Sequence, residues 1–180
     1  MGKIVDFQSY RNRALEDRAF APWEKRFSES FGSNVYLSDL SDATLMALAQ
    51  PGEDHAIAYY ELVMAVLGLG EGVKFYYLDK GEQLRVVDIH LFLADQVRFE
   101  LMRRLGWVKW YPGLDVPIVA LAADFERIRQ AAGTSPPTLA PGRPDFDQYQ
   151  RLTPRDRESF IRRLLPGALE AFRLRLSPSE

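Results

Sequence analysis

Proton transfer and metal binding near neutral pH lean on histidine and cysteine, and this chain has two histidines, His55 and His90, and no cysteine. Without a thiolate, a cysteine nucleophile, a disulfide framework, an iron–sulfur cluster and a thiolate zinc site are excluded together. His90 follows Asp88 by two residues, with Asp95 further along the same stretch. Side chains two apart on a helix diverge, so Asp88 and His90 do not form one metal-binding face. Neither histidine stands in the Glu-x-x-His spacing of carboxylate-bridged metal bundles. His55, near a helix start, reads as a solvent-facing or locally hydrogen-bonded residue.

Other chemistries fail on spacing. There is no Gly-x-Ser-x-Gly elbow, so a hydrolase-type serine has no frame. The carboxylate pairs Glu53/Asp54, Asp95/Glu100 and Asp145/Asp147 carry no catalytic information without a pocket to raise one pKa. Gly68, Gly70 and Gly72 miss the dinucleotide fingerprint, which needs its third glycine at the position of Val73, a strand before and a helix after. The residues therefore define no catalytic, cofactor-binding or metal-binding set, and the reading leans away from an enzyme.

Three constellations remain. Arg103, Arg104, Trp107, Lys109, Trp110 and Tyr111 interleave cations with aromatics at a helix end. Such a patch stacks on planar or anionic ligands or anchors a protein partner; its structural alternative is that the tryptophans plug the core while the arginines meet helix-end carbonyls. Tyr59, Tyr60, Phe75, Tyr76 and Tyr77 form a second concentration. With Glu61 and His90 it gives a candidate small-molecule pocket of Tyr60, Glu61, Tyr76 and His90. The third is the N-terminal segment, where Phe7, Tyr10, Phe20, Trp23, Phe27 and Phe31 supply more apolar surface than a peripheral helix exposes. That face packs on its own domain or against a second copy.

The elements that carry these groups follow from periodicity and punctuation. Helices are predicted from Phe7 to Phe20, from Pro22 to Phe31 with Gly32 as its stop, from Ser41 to Ala49, and from Glu53 to Leu67. The last is apolar nearly all round and belongs at the centre. Val73–Leu78 and Gln83–Val87, joined by Asp79-Lys80-Gly81-Glu82, predict a β-hairpin by their aromatic and β-branched content. A helix from Asp88 to Leu105, a turn from Trp107 to Gly113, and a helix from Pro117 to Ala132 follow. The proline-rich stretch 133–152 reads as a loop, and the final helix from Thr153-Pro154 is expected to kink or divide at Pro166. The expected fold is predominantly α within the α+β class: a single domain over 1–180 with six or seven helices and one small hairpin, its first 31 residues a helical segment suited to oligomerisation.

Composition bounds the partners. At 180 residues, 47% hydrophobic and 27% charged, the chain has ordinary globular makeup. Residues 28–82 hold nine acids against only Lys74 and Lys80, which disfavours a phosphate backbone there. Helix, helix and hairpin across 41–87 have the order of a winged helix, but the would-be recognition helix offers Glu53, Asp54 and Glu61 in place of basic residues. The N-terminus has no apolar run of signal-peptide length and no later stretch approaches a membrane span, so the expected compartment is the cytoplasm. The reading is a non-enzymatic interaction or regulatory module, with a second copy or another protein as partner and no cofactor. A small-molecule binder or unrecognised enzyme comes second. A nucleic-acid accessory protein, using the basic aromatic turn or Arg151, Arg155, Arg162 and Arg163, comes third.

Overall fold

The computed structural model describes residues 7–178, with side chains from Arg11 onward. Helices dominate: α1 (Phe7–Phe27), α2 (Asp42–Ala49), α3 (Glu53–Leu67), α4 (Lys80–Arg104), α5 (Ile118–Ala123), α6 (Phe125–Ala132), α7 (Phe146–Gln150) and α8 (Pro154–Leu176). Short 3-10 turns cover Leu37–Asp39 and Gly72–Tyr77. The two strands, β1 (Val108–Trp110) and β2 (Thr138–Leu139), pair antiparallel with Val108 opposite Leu139 and Trp110 opposite Thr138. The predominantly helical α+β fold thus holds, with its sheet in another place. No helix among the described residues is long and apolar enough to cross a membrane.

The expected hairpin is replaced by helix. Asp79 caps α4, its side chain accepting from the Glu82 backbone N–H at 2.8 Å. An Asp followed three residues later by Glu is a helix-start signature, and here it outweighs the turn reading of Asp79-Lys80-Gly81-Glu82. Val86, Ile89, Leu93 and Val97 then form a buried stripe at helical spacing, which extends the helix eight residues earlier than Asp88. On the other side of the cap, Gly72–Tyr77 coils tightly because Gly72 lies against α3: a Cβ there would sit 2.7–2.9 Å from atoms of Glu61. Strand propensity in Phe75–Tyr77 yields to that tertiary context.

Two prolines sit inside helices that they were expected to divide. α1 runs through Pro22 to Phe27, where Ser28 adopts φ 51° and ends it; the expected second helix is continuous with the first and stops short of Phe31. α8 runs through Pro166 to Leu176. A mid-helix proline costs about 3 kcal/mol. Each is flanked by anchors that offset this: Ala19, Phe20 and Trp23 in α1, Ile161, Ala168 and Phe172 in α8, all buried. The predicted helix from Pro117 to Ala132 is interrupted by one residue, Asp124, at φ −105° and ψ 27°.

α3 and α4 form the centre. Ala58, Tyr59, Leu62, Val63 and Met64 of α3 are buried, whereas Ile57 is 36% exposed, so α3 keeps one wet edge. Trp23 donates its indole N–H to the Ala58 carbonyl at 2.7 Å, fixing α1 to α3, and Tyr59 donates to the Leu48 carbonyl at 2.7 Å, fixing α2 to α3. The proline-rich stretch is also tied down: it contributes β2, the Ala140 N–H bonds the Trp107 carbonyl at 2.9 Å, and the Tyr149 hydroxyl donates to the Pro137 carbonyl.

Candidate functional site

The basic aromatic constellation folds into a charge network rather than a free surface. Glu100, on the inner side of α4, has no accessible surface. It accepts from Arg103 Nε and Nη2, each at 2.8 Å, from Arg104 Nε at 3.0 Å and from the Tyr111 hydroxyl at 2.8 Å. Arg104 also meets Asp42 at 2.8 Å and the Leu37 carbonyl at 3.1 Å, which ties the end of α4 to the start of α2. Burial alone would raise the Glu100 pKa, but these charge-assisted hydrogen bonds outweigh it and hold the carboxyl below its usual 4.5. Burial and the Glu100 charge push the Tyr111 phenol far up, so it stays a hydrogen-bond donor. Arg103, Arg104 and Tyr111 are thus committed to structure. Trp107 is half-buried, with the Arg143 guanidinium stacked 4.2 Å from its ring centre, and Trp110 is half-buried; Lys109 alone of the six is exposed.

Of the candidate pocket, three members converge and one does not. Tyr60 stacks on Phe75 with ring centres 4.2 Å apart, His90 lies 5.4 Å from Tyr60 and 4.9 Å from Tyr59, and Tyr76 meets Phe75 edge-on at 5.3 Å. These rings fill one another's space and leave Tyr76 73% exposed above them. Burial, then the nearby Arg98 charge, lowers the His90 pKa below 6.5, and its Nδ1 is buried with no partner among the described residues. Glu61 turns to another flank, where it pairs with Arg26 at 2.6 Å.

The N-terminal aromatic stripe is buried within the chain itself. Phe20 and Trp23 are 2% and 1% exposed, and Phe27 and Phe31 pack partly buried on the same core, with Phe20 and Phe31 stacked at 5.1 Å. Of the face offered for self-association, Phe20 and Trp23 are therefore turned into the chain's own core, with Trp23 bonded to α3. The side chains of Phe7 and Tyr10 lie outside the described residues.

A groove absent from the sequence reading opens on this same flank. It measures about 1,060 Å³ and runs between α1 and the turn that joins α3 to the 3-10 segment. Ala21, Pro22, Ala65 and Val73 line its apolar part. Arg18, Lys25, Arg26 and Lys74 stand around it against Glu61 and Glu71, and the Arg26–Glu61 pair leaves Arg18, Lys25 and Lys74 as exposed cations. Gly68 and Gly70 shape the turn at φ +70° and +96°, where other residues are strained. Beside it, Val73, Tyr76 and Tyr77 are 68%, 73% and 88% exposed. The only hint in the sequence is the glycine spacing, which reads as punctuation until α1 is known to lie across it.

Among the described residues, no group of three or more His, Asp or Glu side chains is placed to hold a metal ion. No protein-family model matches the chain, and no curated protein or solved structure is significantly similar to it.

Proposed function

We propose that this protein is a cytoplasmic interaction module that seats an acidic amphipathic helix of a partner protein in the groove between α1 and the Gly68–Lys74 turn. The observation that carries the reading is the meeting of an apolar lining with the exposed cations Arg18, Lys25 and Lys74, which form no salt bridge among the described residues. A helix docks its apolar face into such a groove while its flanking charges select orientation and partner. At about 1,060 Å³ the groove stands at the upper end of the sizes that enclose drug-sized ligands, which leaves room for the side chains of a helix face. The exposed Val73, Tyr76 and Tyr77 extend the contact surface past its rim, and tyrosine is enriched among residues that dominate interface energy.

A second copy is a poorer occupant. The groove is unlike the acidic surface it would have to meet on that copy, so the contact would be head-to-tail, and such contacts grow filaments unless the rotation closes a ring. Nucleic acid would satisfy the cations but leave the apolar lining unused.

Fluorescence anisotropy with a labelled Glu/Leu-patterned amphipathic peptide tests the proposal. We expect a Kd on the order of 10 µM, rising with salt, and a loss of about tenfold for Lys25→Glu or Lys74→Glu. Equal binding of a scrambled peptide of the same composition, or tighter binding of a single-stranded oligonucleotide, would overturn it.

A further inference from the structure

A separate recess of about 270 Å³ lies where α4 meets the end of α6, the proline-rich segment and α8. Its charged members divide into those already paired and those free. Arg162 grips Asp95 through two bonds of 2.9 and 2.7 Å and also holds Glu158 at 2.9 Å. That triad carries two carboxylates on one guanidinium. Asp88 and Arg129, both exposed at the recess, have no oppositely charged partner within 4 Å among the described residues; Arg129 only lies over the Phe125 ring at 5.5 Å.

Gln96 supplies the decisive group. It is 2% exposed, and its Oε1 accepts from the Gly113 backbone N–H at 2.8 Å. That contact requires glycine, since a Cβ at position 113 would lie 2.8 Å from the same oxygen. Because a backbone donor claims the oxygen, the amide's other end is its NH2, and Nε2 finds no acceptor among the described residues. Gln96 lines the recess, and its Nε2, which is not sealed from solvent, stands there as an available donor.

We propose that this recess binds a small free zwitterion of the amino-acid class with an apolar side chain. The ligand carboxylate accepts from Gln96 Nε2 and pairs with Arg129. The ammonium meets Asp88 and the surplus negative charge of the Asp95–Arg162–Glu158 triad. Phe92, Phe99, Pro112 and Pro137 form the apolar wall for the side chain. The volume, just under the roughly 300 Å³ lower bound of drug-sized pockets, suits one amino acid.

The test is a titration of the isotope-labelled protein with each standard L-amino acid at millimolar concentration, following the Gln96 side-chain amide and the Gly113 N–H. An apolar amino acid should shift both signals saturably, with a Kd of about 0.1–1 mM. Its N-acetyl and C-terminal amide derivatives should each bind about tenfold more weakly. Asp88→Asn should erase the discrimination against the acetylated form, and Arg129→Met that against the amide; both positions are exposed, so the fold is retained. No saturable shift at Gln96 for any amino acid, or capped forms that bind equally well, would overturn the proposal.

Discussion

Glu100 is a carboxylate with no accessible surface, held ionised by two arginines and a tyrosine. Breaking a buried ion pair from one side leaves the remaining charges uncompensated. Glu100→Gln should therefore cost about 3–5 kcal/mol in urea unfolding, whereas Tyr111→Phe, which deletes one neutral donor to the carboxylate, should cost about 1.5–3 kcal/mol. A loss under about 1 kcal/mol for Glu100→Gln, the range of exposed pairs, would contradict the network. Acid should reveal two steps. His90 is held below 6.5 by burial and then by Arg98, and Glu100 is held below 4.5 because its hydrogen bonds exceed the effect of burial. In each case the unfolded chain binds the proton more readily, so stability falls as pH falls. The histidine contribution is lost as pH drops below 6.5 and the glutamate contribution below 4.5. Unfolding free energy measured across pH should show both, and His90→Phe should remove only the upper step; an unchanged upper step in that variant would contradict the assignment. None of this was legible in the chain, because Arg103 and Arg104 beside Trp107 resemble a surface patch until α2 and the Leu37–Asp39 turn are known to cover them.

Among the elements, those set by capping and periodicity were readable. Ser41 accepts from the Thr44 N–H at 3.1 Å and opens α2 as expected, and Thr153 accepts from the Asp156 N–H at 3.3 Å and opens α8. The segment 72–87 was misread because its aromatic and β-branched residues favour strands locally, while the stripe from Val86 to Val97 and the Asp79 cap impose a helix. Gly81 separates the two readings experimentally. Inside the first turn of α4 it has negative φ and ordinary space for a Cβ, its nearest neighbour being Asp79 Oδ1 at 3.4 Å. Gly81→Ala should raise stability by about 0.5–1 kcal/mol in chemical denaturation. A loss would mark the left-handed turn glycine of a hairpin instead. The tolerated prolines make a related point: Pro22 and Pro166 break a helix only where local cost exceeds the packing of their neighbours, which sequence spacing does not disclose.

For the whole molecule, the aromatic stripe of α1 serves internal packing, with Trp23 bonded to the Ala58 carbonyl and meeting Phe20, Phe27 and Phe31 edge-to-face. Phe20 and Trp23 are thereby withdrawn from the surface that suggested a dimer. Light scattering at micromolar concentration should return the 20.6 kDa mass of one chain; a stable mass of twice that value would show that another face joins copies. The groove escaped the sequence because its walls come from α1 and from the turn after α3, about fifty residues apart. Charge counted along the chain also hid it, since the acidic stretch 28–82 contributes Lys74 to a site completed by Arg18 and Lys25.

The account rests on the groove, not the tryptophan turn, being the recognition surface. Mapping backbone amide shifts during titration with the acidic amphipathic peptide decides between them. Perturbations should centre on Ala21, Lys25, Ala65, Gly70 and Val73 and leave Trp107–Tyr111 unmoved; shifts centred on Trp107–Tyr111 with a silent groove would contradict it.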